Sequence, residues 1–244
     1  MKLSISEIKA VFELGASGLN YFRKRRNPIR SQSDRFLRAF EDHGVARQQI
    51  TRVLPDEFDI KHEAFSSAEQ LVGHLTPELL DWASNYLALD RSWLDGIGDR
   101  PHQDLEIYKD TSAYSDWLKQ RIELEPNVDR SVYIWATSDL NHSTNSSYYL
   151  SIVFEEYFGD LDDTNLCRYW TISNQWSADH KPCINSMLKI INISRSNNVL
   201  PIGRVLSKKA LHDFEEGNLF APQVKKQVKA IWYPEDLDNL YSVA

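Results

Sequence analysis

The chain is poor in several things that would fix a function at sight. It holds 2 cysteines in 244 residues, Cys167 and Cys183. That is too few for a disulfide framework, so two reduced thiols in a cytosolic protein are expected. Only 9 glycines are present, and none falls in a phosphate-binding loop, a dinucleotide fingerprint or a G-x-S-x-G nucleophile elbow. No apolar run approaches the ~20 residues of a membrane span, and no apolar stretch follows the charged amino terminus as in a secretory signal. Repeats of fixed period and low-complexity tracts are missing too. The expectation is a soluble, cytoplasmic protein with no membrane partner.

What is abundant is positive charge, in one place. Residues 1–55 carry 11 Lys/Arg against 5 Asp/Glu, whereas the remaining 189 residues carry 17 against 30. The net charge of −7 therefore hides a split molecule, with a basic end on an acidic body. Such a split attracts phosphates at one end and repels them elsewhere. Its peak is Arg23-Lys24-Arg25-Arg26, followed by Arg30, Arg35 and Arg38. The apolar share of 42% and aromatic share of 11% are ample for a core.

The first hundred residues read as helical. A helix through Ile8, Val11, Phe12 and Leu14 breaks at Gly15-Ala16-Ser17. A second, from Gly18 to Arg26, is expected to stop at Asn27-Pro28, where proline cannot continue it. Ser33 is then expected to cap a helix from Asp34 to His43 that ends at Gly44. Arg47 to Leu54 is another. Thr76, with Pro77 at the first helical position, opens one that runs to about Leu89, and a short piece covers Arg91 to Gly96. Gly96-Ile97-Gly98-Asp99-Arg100-Pro101 punctuates the chain and divides it into residues 1–100 and 101–244. Beyond it a helix around Tyr114, Trp117, Leu118 and Ile122 precedes strands at 131–137, 148–158 and 166–172. A helix at 181–191, a strand at 201–206 and a helix capped by Ser207 and ending at Gly217 follow. The fold class is α+β: an all-helical amino-terminal domain followed by an α+β domain.

The phrase helix, Leu14-Gly15-Ala16-Ser17, helix is laid out as a helix-turn-helix, in which Ser17 caps the helix that enters the major groove. Ser17, Asn20, Tyr21, Arg23, Lys24, Arg25, Arg26 and Arg30 are the candidate DNA contacts. Arginine suits guanine edges, asparagine suits adenine, and lysine mostly positions phosphate. The segment resembles the lambda-repressor-like (Cro/XRE-type) regulators. Gly15-Ala16-Ser17 matches their turn, Arg26-Asn27-Pro28 is similar to the loop that follows their recognition helix, and Trp93-Leu94-Asp95-Gly96 resembles their closing phrase. The resemblance implies a transcriptional regulator that binds double-stranded DNA, as a homodimer on a pseudo-palindrome. A second placement puts the scaffold helix at Arg47 to Leu54 and the reading helix at Ser67 to His74, a stretch without Lys or Arg. The carboxy-terminal domain would then dimerise or sense a small-molecule effector. The alternative is a toxin/antitoxin-like or phage-related adaptor that docks its basic helix on an acidic protein.

Other constellations are incomplete. Asp160 to Asn165 lacks the glycine and the glutamate of a calcium loop, where Thr171 takes the twelfth position, and reads as an acidic turn. His180 and Cys183 have a zinc-like spacing without a second pair. Cys183 has a nearby histidine as a nucleophile would, but no orienting acid. No catalytic residue, metal or cofactor is expected, and the protein is expected not to be an enzyme. The set Tyr148, Tyr149, Phe154, Tyr157, Phe158, Tyr169, Trp170 and Trp176 reads as sheet core.

Overall fold

The computed structural model describes residues 28–138, 149–173 and 176–234. Helix α1 (Pro28–Asp42) opens a helical layer. A 3-10 turn (Arg47–Gln49) then runs into α2 (Ile50–Val53). After two further 3-10 turns, α3 (Ala68–Leu71) continues as the 3-10 turn Val72–His74. Helices α4 (Pro77–Leu87) and α5 (Arg91–Leu94) complete the layer. Phe36, Leu37 and Phe40 of α1, Ile50 of α2, Leu71 of α3, and Leu79, Ala83 and Leu87 of α4 form its core, each almost wholly excluded from solvent.

The start of α1 departs from expectation. Pro28 opens this helix six residues before the expected start at Asp34, because a proline in the first turn gives up an N–H that has no intrahelical partner anyway; the expected end of the preceding helix at Asn27 lies outside the described residues. Ser33 consequently lies in mid-helix, fully buried, and is no cap. Thr76 does cap α4, its hydroxyl accepting the Leu79 N–H at 3.3 Å, and Asp90 caps α5. The helix after Pro77 ends two residues early, at Leu87, because Ala88 turns left-handed (φ 53°).

The second layer is a mixed sheet of β1 (Gln103–Asp104), β2 (Asp129–Ala136), β3 (Tyr149–Leu161), β4 (Thr164–Thr171), β5 (Trp176–Ser177), β6 (Leu200–Val205) and β7 (Ala230–Trp232). The order is β1-β4-β3-β2-β6-β7, with β5 paired to the start of β3. The pairs β1/β4 and β2/β6 are parallel and the others antiparallel. Period-two alternation sets the two faces. Val132, Ile134, Phe154 and Trp170 face α6 (Thr111–Leu124) and α7 (Lys181–Ser196). Tyr133, Trp135, Val153 and Tyr169 face α8 (Lys208–Glu215) and α9 (Ala221–Lys225). A sheet covered on both faces explains why β2 reads as an almost unbroken apolar run. Mixed helix and sheet in this arrangement is the α+β class.

Asp162 and Asp163 form the acidic turn between β3 and β4, with Leu161 opposite Thr164. Two residues of that hairpin, Leu161 and Leu166, enter the core of the helical layer together with Phe220. Helices and sheet therefore share buried surface. Gly203 marks a second close approach: a Cβ there would lie 2.2 Å from the Trp232 ring across the β6/β7 pair.

Candidate functional site

Of the eight residues read as DNA contacts, Ser17, Asn20, Tyr21, Arg23, Lys24, Arg25 and Arg26 lie outside the described residues. Arg30 lies inside them, in the first turn of α1, where its guanidinium pairs with Glu69 of α3; both side chains are about half exposed. This pair sets the start of α1 beside the exposed side of the third helical segment, which presents Gln70, Gly73 and His74 while Ala68 and Leu71 are buried. Ser67 starts that segment by accepting the Gln70 N–H at 3.3 Å. The other arginines of the layer are also engaged. Arg38 binds Asp42 (3.1 Å), Arg47 binds Glu41 (2.7 Å), Arg52 binds Asp162 of the β3/β4 turn (2.5 Å), and Arg91 binds Asp81 (2.7 Å).

A cleft of about 760 Å³ opens between α1, α5 and the end of α8. Arg35 lines it from α1, donating to the carbonyl of Gly98 at 3.0 Å and to that of Trp93, with its guanidinium 5.3 Å from the Trp93 ring. Arg100 lines the opposite side and donates to the Glu215 carbonyl at 2.6 Å. The Glu215 carboxyl accepts from Ser151 at 2.9 Å, and burial raises its pKa above the usual carboxylate range. Gly217 makes the corner: its φ is +73°, and a Cβ would stand 2.2 Å from the Asp99 carbonyl oxygen. Asp34, Asp99 and Glu216 complete a wall of mixed charge.

His102 is the buried member of this wall. Its Nε2 accepts the Ala221 N–H at 2.9 Å, so the neutral ring carries its proton on Nδ1. That Nδ1 is buried and has no hydrogen-bond partner among the described residues. His43 stands edge-on to it, with ring centroids 5.8 Å apart. The His43 Nδ1 lies 2.6 Å from the Ala39 carbonyl and acts as donor, which leaves Nε2 as a buried acceptor. Burial depresses His43 to about 4, and burial, with His43 beside it, holds His102 well below the ordinary histidine range. Two neutral imidazoles thus join α1 to the sheet.

A second cleft, of about 550 Å³, lies between α4, α6 and β4. Trp82 and Tyr86 stack there at 5.0 Å, opposite Trp117 and Trp170. Beneath it Glu156, fully buried, faces Arg130 and Arg168 at the same register on the neighbouring strands, each at 3.0 Å. Arg121 of α6 closes the set from above. Phe154, Tyr169, Trp170 and Trp176 are buried as sheet core; Tyr149 is exposed, and Tyr148 lies outside the described residues.

His180 and Cys183 do come together, Nδ1 to Sγ at 3.2 Å, but Cys167 is on β4, on the other face of the sheet. Among the described residues no three His, Cys, Asp or Glu side chains are grouped to hold a metal ion, and no helix is long and apolar enough to cross a membrane. Both thiols are free and buried. Sequence reasoning missed Arg35, Arg100 and His102, whose partners lie 58 to 119 residues away. It also missed Tyr108 and Lys109, which reach Cys183 and His180 from the loop before α6. Local patterns hold no signal for contacts of that span. Compared with known protein families, with curated proteins and with solved structures, the chain finds no match in any of the three.

Proposed function

We propose that the protein is a DNA-binding transcriptional regulator in which the basic residues 1–27 contact phosphates and the exposed Gln70 and His74 of the third helical segment reach base edges. One observation carries this reading. The Arg30–Glu69 pair ties the start of α1 to the third helical segment, whose Gln70 and His74 are exposed, and six Lys/Arg set against two acids precede that start in the sequence. Gln70 has the bidentate amide that suits adenine, and the preceding cluster supplies the charge that the segment itself lacks. The second placement of the motif lacks its short turn, because two 3-10 turns separate α2 from α3, and the first placement, on residues 14–26, lies outside the described residues.

Reading one major groove gives modest affinity, so a two-fold dimer on a pseudo-palindrome is expected. Leu200 and Ile231, exposed on β6 and on the edge strand β7, are the apolar candidates for the contact. The mixed-charge cleft is the effector site in this reading. Its walls belong to both layers, and its arginines and carboxylates suit a small polar molecule with groups of both signs.

Selection from a random duplex pool tests the proposal. A discrete sequence should be enriched, with binding that falls steeply with salt, at a log–log slope of about −0.9 per phosphate contact. Replacing Arg23, Lys24 and Arg26 together with alanine should remove most affinity. Gln70→Ala and His74→Ala should relax sequence preference more than they weaken non-specific binding. If Arg47→Ala/Arg52→Ala alone abolishes binding, the phosphate contacts lie on the scaffold helix instead. If no duplex competes better than random DNA, the regulator reading falls.

A further inference from the structure

The two cysteines have opposite surroundings. Cys167, on β4, lies beside Glu155 and Tyr169, and burial followed by the Glu155 charge pushes its thiol up to about 11. Cys183 is the third residue of α7, a helix of 16 residues. Its Sγ is 3.2 Å from His180 Nδ1 and 3.2 Å from the Tyr108 hydroxyl. Lys109 Nζ lies 3.3 Å from the same imidazole nitrogen and 4.4 Å from the centre of the Tyr108 ring. Tyr108 and Lys109 come from a loop more than 70 residues away in sequence, in which both Glu106 and Lys109 adopt positive φ. A thiol, a base, an ammonium and a phenol therefore meet at one point.

This is the layout of an activated nucleophile. The base is within hydrogen-bond reach of the thiol, and two further groups stabilise negative charge as it develops on sulfur. The hydrogen bond to Tyr108 also holds the Lys109 ammonium above its ordinary range, so it stays charged. The positive end of α7 adds to the effect. Cys183 is almost wholly covered and belongs to the core cluster under α7, and two of its neighbours, Tyr108 and His180, are exposed side chains. Access of a molecule of two or three heavy atoms to the sulfur requires Tyr108 or His180 to turn.

We propose that Cys183 is a reactive thiol that senses small hydroperoxides, with His180 as its base. As sulfur attacks the terminal peroxide oxygen, the S–O bond forms and the O–O bond breaks. His180 takes the thiol proton and delivers it to the departing oxygen. Sulfur is oxidised by two electrons to the sulfenic acid, and the hydroperoxide is reduced to water or an alcohol. The added oxygen has to fit against Tyr108, whose ring stands 5.4 Å from that of Trp176, so oxidation is expected to alter Trp176 fluorescence. Nothing in this step depends on DNA binding.

The test exposes the full chain, without DNA, to hydrogen peroxide and a dimedone-type trap and maps adducts by mass spectrometry. Cys183 should be trapped at least about tenfold faster than Cys167. His180→Ala should slow trapping by a similar factor and flatten the pH–rate profile of iodoacetamide alkylation near neutrality. Lys109→Met, a change at a solvent-facing side chain, should slow it less, in the same direction. Urea midpoints of each variant check that the fold survives. Equal trapping of the two cysteines overturns the proposal. So does Cys183 labelling that appears only in parallel with denaturant unfolding, or a pH profile that His180→Ala leaves unchanged.

Discussion

The helical layer and the sheet handle charge in opposite ways. In the helical layer, ion pairs such as Arg30–Glu69 and Arg52–Asp162 join side chains that are about half exposed. In the sheet, Glu156 has no exposure at all and is met by Arg121, Arg130 and Arg168. A water-exposed pair is screened and cheap to separate, so its residues remain free to exchange one partner for another. A buried carboxylate has no such freedom: once its arginines are removed, nothing replaces them. The pairs of the helical layer can therefore exchange partners, whereas the charge under the sheet holds one arrangement.

The largest effect should come from breaking the buried set. Glu156→Leu leaves three guanidinium groups without their common carboxylate and should cost about 3–5 kcal/mol, read as a fall in urea midpoint. Glu156→Gln, which keeps the shape and two hydrogen-bonding atoms, should cost less. A midpoint unchanged in both variants would mean that the arginines find other partners and that burial does not fix their role.

Acid should come next. His43 is depressed in the folded state to about 4, against an ordinary value near 6.5. The unfolded chain therefore binds the proton first. Stability is complete above about pH 6.5 and is lost as pH falls toward 4, by about 3 kcal/mol from His43 alone. His102, depressed in the same direction, acts in the same window. Urea midpoints at a series of pH values measure this loss, and in a His43→Gln variant the slope should be visibly shallower. Equal slopes would remove the imidazole pair as the cause.

Smaller again is the effect of Gly203→Ala, because its new Cβ meets the Trp232 ring and displaces the β7 edge, at about 1–3 kcal/mol. The smallest is Arg30→Ala. It should leave the urea midpoint where it is, while DNA affinity falls if binding needs the start of α1 held beside α3. That last pair of readouts separates recognition from folding at a single residue.

How much of this the sequence disclosed follows from the range of the interactions. Thr76-Pro77 and Ser207 announced their helices because a cap is satisfied within three residues. β2, β3 and β4 were visible because strands buried on both faces are long and apolar. β1, β5 and β7 were not, since two or three residues joined to distant partners carry no periodicity. Ser33 misled because a serine before a helical run reads as a cap, whereas α1 had already started at Pro28. Of the site residues, the His180/Cys183 spacing was legible, and the basic run at residues 23–26 lies outside the described residues. Tyr108, Lys109, His102 and Arg35 were not, because their roles exist only after the loops have been folded against the sheet.

The two-residue strand β1 has a consequence for the order of assembly. It pairs in parallel with Trp170 and Thr171 at the end of β4, and the bridge Leu89–His102 stands just before it. The helical layer is synthesised first and can collect its own apolar face early. Its outer boundary stays open, however, until residue 171 has left the ribosome, and its core also awaits Phe220. Closing contacts of that span is slow compared with forming helices. A nascent chain arrested before residue 171 should therefore expose Trp93 and its neighbours to chaperones, and one released after α9 should not.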